Sequence, residues 1–244
     1  MGKGITANTL LKALSRDDLA LLEPFLTAVR LPRGHVLVTP NAPIDHVYFP
    51  EGGIASIGTL SENGVRTEVG IFGRDGVSAT CLLLEVDRSP HETVMLLDAP
   101  QALRIDTDRY LHAIRQSETL RSTLLHYVQT LLVQAEHNSA THARLCIEAR
   151  LARWILMAQD RLDGDELLLT HNFMARMITA ERSGVTVALH ILEGSGMIRS
   201  QRGRVVVLDR NKLETVAGES YGFPEAEYRK LIGPLGRTSL ETSA

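Results

Sequence analysis

The sequence predicts an α+β chain in three successive parts: a roll of short strands behind a helical lead-in, one long helix, and a compact helical unit that carries a β-hairpin. Three observations predict it. Between Leu31 and about Ile105, short β-branched or apolar runs alternate with Pro and Gly punctuation. From about Thr107 to Leu162 apolar residues recur at helical spacing. Beyond Leu168, two short helical patterns separated by a tight break lead into a strand–turn–strand pattern.

Residues 1–30 read as the helical lead-in, with Leu10, Leu11, Leu14, Leu19, Leu22, Leu26 and Val29 at roughly helical spacing. Ser15 before Arg16-Asp17-Asp18 is a predicted N-cap with an acidic first turn. The expected strands are Val36–Val38, Val47–Phe49, Ile54–Leu60, Val65–Ile71, Val94–Leu97 and Ala102–Ile105. Asn63-Gly64 is a hairpin signal, because both residues tolerate positive φ. Many short strands at regular spacing point to a small barrel or jelly roll.

In the long helix, Leu120, Leu124, Tyr127, Leu131, Gln134 and Asn138 are spaced 4, 3, 4, 3, 4, a heptad seam. A second stripe, Leu125, Val128 and Leu132, lies alongside. A helix with two apolar faces has one for its own barrel and one for a partner. The seam from Leu120 to Asn138 is assigned to the dimer interface; a single helix buried within a monomer is the alternative. A further helix carries Leu151, Trp154, Ile155 and Ala158 on one face, and Gly164 sits in an acidic turn after it. The chain from about Gly218 is polar, with Gly and Pro, and is expected to fray. The expected division is residues 1–115 for the roll with its lead-in, 116–144 for the dimer helix and 145–244 for the C-terminal unit.

In that unit Thr170 is a predicted N-cap for a helix over Asn172–Ile178, a break falls at Thr179-Ala180, and a second helix runs from about Glu181 to Glu193. Val185, Ala188, Leu189 and Leu192 face inward, and Gly194 and Gly196 suit termination. Two short helices joined by a three- or four-residue turn make a helix-turn-helix, whose second helix enters the DNA major groove. Arg199 to Leu208 reads as two strands around a turn at Gln201–Gly203, a wing bearing Arg199, Arg202 and Arg204 for the phosphate backbone. Arg182 is the candidate for a bidentate guanine contact. Ser183, Thr186, Val187 and His190 on the second helix, and Thr170 and His171 at the head of the first, complete the candidate DNA contacts.

Charge supports this assignment by its distribution. Thr170 to Lys212 holds seven basic and three acidic residues, a local +4, against −7 for the remainder of a chain whose total is −3. A basic patch attracts phosphate while the rest of the surface stays acidic. Hydrophobic residues at 44% supply enough apolar material for real cores, which with only 5% aromatics must rest on Leu, Val, Ile and Ala. No apolar run is long enough to span a bilayer, and Met1 to Leu14 lacks the pattern of a secretory signal. Cys81 and Cys146 imply no disulfide framework. A cytoplasmic protein is expected, without a membrane partner.

Leu169-Thr170, Arg182-Ser183-Gly184-Val185, Leu189, Leu192-Glu193 and Gly196-Met197-Ile198 together resemble the helix-turn-helix signature of the Crp/Fnr family, and the layout extends the resemblance over nearly the whole chain. The resemblance implies a transcription regulator with a cyclic-nucleotide-binding-like roll. It also implies a homodimer on a palindromic double-stranded operator, one recognition helix per half-site, and RNA polymerase as a further partner. Arg182 matches the family's guanine-reading arginine. Ser183 and Val187 fall where several members carry charged base readers, so the familiar operator does not transfer. Thr179 stands at a turn position that is often Gly.

Members that bind cyclic AMP carry Gly-Glu and, some ten residues on, Arg-Ser or Arg-Thr. Here Gly73 precedes Arg74, the later pair falls near Pro90-His91, and the base-touching hydroxyl positions fall near Ala135 and Glu136. Arg88 is the nearest substitute cation. Two cysteines cannot hold the four-cysteine iron–sulfur cluster of oxygen-sensing members. His35, His46, His91 and His112 are possible haem ligands, but a lone His is more often a surface or core residue. Cys81 has a redox role as one reading and an inert thiol as the other. The effector is therefore something other than cyclic AMP, or none, and neither cofactor nor metal is assigned. Two other classes compete. A cupin-type metal enzyme needs a His-x-His pair, which does not occur; no G-x-S-x-G elbow or Gly-Lys-Ser/Thr loop occurs either. A sensor module without DNA binding would not need the basic wing.

Overall fold

The computed structural model describes residues 6–61 and 66–236. Two short helices, α1 (Thr9–Ala13) and α2 (Arg16–Leu22), lead in. Asn8 and Ser15 cap them, their side chains accepting from Leu11 N and Asp18 N. The helical reading of the lead-in ends too late: Thr27–Leu31 is strand β1, paired with β7 (Ala99–Asp106). A β-branched Val29 in a chain already turned by Pro24 takes the extended form once a partner strand is at hand.

The roll is two antiparallel sheets. One has the order β1-β7-β3, with β3 at His46–Pro50. The other has β2 (Val36–Val38), β6 (Glu92–Leu97), β4 (Ile54–Leu60) and β5 (Arg66–Phe72) in the order β2-β6-β4-β5. β4 and β5 pair out to Leu60 opposite Arg66; the Asn63-Gly64 turn between them lies outside the described residues. Val47, Phe49, Phe72, Met95 and Ile105 fill the space between the sheets.

Three helices follow: α3 (Thr107–Gln116), α4 (Glu118–Arg144) and α5 (Ile147–Gln159). Ser117 caps α4 by accepting from Leu120 N. The assignment of the Leu120–Asn138 seam to a dimer interface is corrected by its packing. Leu120, Leu124 and Tyr127 are buried in the core of their own roll, and Leu131 packs against it. Gln134 Oε1 accepts from Ile71 N at 2.8 Å, and Asn138 Nδ2 donates to Val69 O at 2.8 Å. The polar ends of the seam satisfy strand β5, whose outer backbone groups need partners once buried. In the second stripe Leu125 and Val128 are partly buried along the edge of the same core, and Leu132 turns outward at 52% exposure.

The C-terminal unit holds β8 (Glu166–Leu167), α6 (His171–Met177), α7 (Arg182–Gly194), β9 (Ile198–Gln201), β10 (Arg204–Val207), α8 (Arg210–Ala217) and α9 (Phe223–Leu231). The fraying expected beyond Gly218 is corrected over α9. Pro224 in its first turn and Glu225 accepting from Gly222 N at 2.8 Å start this helix. It packs on α4, and the Tyr228 hydroxyl donates to Asp75 O at 2.6 Å.

A second core joins this unit to the roll, with Ile54, Ile71 and Leu96 packed among Trp154, Phe173 and their neighbours. A buried ion pair crosses the same junction, Arg161 Nη2 to Asp75 Oδ2 at 2.7 Å. Arg74 Nε donates to Arg161 O at 3.0 Å, and Trp154 Nε1 donates to Glu68 at 3.1 Å.

Candidate nucleic-acid interface

Thr170 accepts from Phe173 N and starts α6; Phe173, Met174 and Met177 bury its inner face. The break after α6 turns on Thr179, at φ 50°, a left-handed conformation that costs a threonine energy. Arg150 Nη1 donates to Ile178 O at 3.1 Å and to Thr179 O at 3.4 Å, holding the turn from α5. Val185, Ala188, Leu189 and Leu192 are buried on the inner face of α7. Gly184 lets α7 approach α5, since a Cβ there would lie 2.7 Å from Ile147 Cδ1. The wing is β9 antiparallel to β10, with Arg204 opposite Gln201 and Gly203 turning at φ 76°. β8 adds a third strand beside β10 that the sequence did not announce, because two residues are too few for a periodicity.

The candidate contacts divide into free and engaged groups. Arg182, Ser183, Val187 and His190 are exposed on α7, and Arg199 and Arg202 are exposed on the wing. Arg204 is engaged: it pairs with Glu166 at 3.3 Å and bonds Gln201. Thr186 and His171 hold each other, Oγ1 to Nδ1 at 3.0 Å, and Thr186 donates to Arg182 O. Burial holds the His171 imidazole below its ordinary range, with Arg182 and His190 adding to the effect. It therefore stays neutral near pH 7. The polar groups that the sequence did not single out lie at the junction: Glu68, Asp75, Arg153 and Arg161, all buried. Isolated charged residues, Glu68 in a strand, Arg153 in a helix and Asp75 and Arg161 in turns, give no pattern that would have found them.

For the rest of the roll, Arg74 is spent on Arg161 O and on Asp163 at 2.9 Å. Arg88 is exposed and donates to Asn41 O at 3.2 Å. Burial raises the Cys81 thiol pKa, which lowers its thiolate fraction. Among the described residues no group of three or more His, Cys, Asp or Glu is placed to hold a metal ion, and no helix is long and apolar enough to cross a membrane.

A roll, a long helix and a winged helix-turn-helix whose second helix is exposed define a DNA-binding class of protein. Residues 149–216 match the Crp-like helix-turn-helix domain. The CRP-like cAMP-activated global transcriptional regulator of Mycobacterium tuberculosis is 23% identical over 202 residues, covering 80% of this chain and 90% of that one. FixK2 of Bradyrhizobium japonicum has the same fold at 16% identity and a TM-score of 0.66, covering 79% of this chain and 98% of that one. The c-di-GMP responsive global regulator CLP of Xanthomonas campestris has it at 17% identity and a TM-score of 0.60, covering 79% and 99%. Residues 149–216 thus carry a Crp-like helix-turn-helix DNA-binding domain, and the chain has the fold of solved Crp/Fnr-family regulators.

Proposed function

We propose that the chain regulates transcription as a homodimer on a palindromic operator, with α7 of each protomer in one half-site. The observation that carries this reading is the free face of α7, with Arg182, Ser183, Val187 and His190 exposed beside the exposed Arg199 and Arg202. In this reading Arg182 takes a guanine, Ser183 and His190 flank it, and the wing arginines meet phosphate. Arg204, Thr170, His171 and Thr186 mainly hold the unit in shape.

The dimer forms through the outer face of α4. Leu125, Val128 and Leu132 are spaced 3 and 4, and Ala135 and Ser139 extend the seam at 3 and 4. Residues 1–115 act as the roll, 116–144 as the dimer helix and 145–244 as the DNA-binding unit, with RNA polymerase the further partner of the bound dimer.

The effector is not cyclic AMP, or there is none. Where cyclic-AMP-binding relatives carry a carboxylate, this chain has Arg74, and it is committed to the α5 end. Selection of fragments from a random DNA library by the full chain, at a stated salt concentration, tests the reading. An inverted repeat is expected. No enrichment either alone or with cell extract added overturns it.

A further inference from the structure

Beside Arg182, Ser183 and His190, α7 also turns apolar side chains to solvent. Its outward face carries Val187, 57% exposed, and one turn on Ile191, 48% exposed. Two β-branched apolar residues in water on a helix gain nothing locally: their helix propensity is below that of Ala, Lys or Glu. They touch neither core, since the buried face of α7 is complete with Val185, Ala188, Leu189 and Leu192. An exposed apolar side chain on a helix lying in a major groove has one chemical counterpart there, the thymine C5 methyl.

We infer that Val187 is a specificity-determining residue that reads a thymine methyl in each half-site; this rests on the reading of α7 as the recognition helix. Arg182 and Val187 are five residues apart, about 7.5 Å along the axis, which fits inside a groove about 12 Å wide. The neighbouring arginines draw in the acidic duplex, and the methyl contact then sorts sequences by shape. Ile191 continues the apolar wall toward the far side of the groove.

The test uses the sequence recovered by selection with the full chain. Each thymine of the half-sites is replaced in turn by deoxyuridine, which removes only the methyl. Burying one methyl is worth about a fourfold change in affinity. Wild-type protein is expected to lose about fourfold per half-site at one thymine position. Val187→Ala is expected to be indifferent to uracil there. Val187→Thr, which keeps one methyl at the same branch point, is expected to retain part of the discrimination.

A wild type that tolerates uracil at every position overturns the inference while leaving DNA reading intact. So does a Val187→Ala protein that loses as much as wild type on the same substitution. If no sequence is recovered at all, the reading of α7 itself fails and the inference falls with it.

Discussion

Arg182 stands at the first position of α7, with its side chain exposed and only its carbonyl engaged, by Thr186. Its freedom separates it from Arg204, which sits on a strand that brings it against Glu166. The sequence offers both as DNA contacts, Arg182 for a base and Arg204 for phosphate; pairing between β8 and β10 is what brings Arg204 against Glu166. Truncating Arg182 to Ala is expected to weaken specific binding by about 1–3 kcal/mol and to relax preference at one base pair per half-site. Titrating wild type and variant against operators altered at single positions checks this, and an unchanged preference counts against a base-reading role. Arg202→Ala is expected to weaken all sequences alike and to lower the salt slope by about 1.

At the scale of elements, the regular pieces were legible in the sequence wherever a period ran long enough. The strands from Val36 to Ile105 and the inner face of α7 carry that signal, as do the caps Ser15 and Thr170. The β1 strand was hidden because Leu26 and Val29 continue a helical spacing that only pairing with β7 breaks. α4 shows a subtler limit. Its two apolar stripes were visible, but periodicity cannot say which one meets the roll. Gln134 and Asn138 decide it, because their amides bond the backbone of β5.

That division makes the two faces respond differently to substitution. Leu132→Glu is expected to yield a monomer by light scattering, with protomer stability changed by no more than about 0.5 kcal/mol. Tyr127→Ala is expected to cost about 3–5 kcal/mol of unfolding free energy, since it opens a cavity in the core of the roll. Equal effects of the two on stability would mean that both faces are buried in one protomer.

For the whole molecule, the junction between roll and DNA-binding unit sets how far either moves without the other. Glu68 lies there, buried among Arg66 on its own strand, Ser56 on β4, Asn138, Thr141 and His142 on α4, and Arg150, Arg153 and Trp154 on α5. Burial raises its pKa to about 8, against the opposing pull of the Trp154 indole N–H and the Arg66 charge. A carboxyl whose pKa is raised in the folded state favours that state most when protonated. Its contribution is full below the ordinary value of 4.5 and is lost as pH rises through about 8. In that window the folding constant falls by up to about tenfold per pH unit from this group alone. Thermal unfolding followed by Trp154 fluorescence from pH 5 to 9 is expected to show the loss, and Glu68→Gln to flatten it. A parallel pH dependence in the variant would assign the effect to other groups. The Asp75–Arg161 ion pair crosses the same junction at 2.7 Å.

In each chain the DNA-binding unit is docked on its own roll and α7 faces outward, so the proposed dimer would present two such helices. The most direct test is the mass of the complex formed by the full chain on a duplex bearing the selected sequence, measured by light scattering at a stated salt concentration. Two chains per duplex, reduced to weak or single-chain binding by Leu132→Glu, is the predicted result. One chain per duplex for the wild type, with binding indifferent to Leu132→Glu, would contradict a dimer that reads DNA through paired recognition helices.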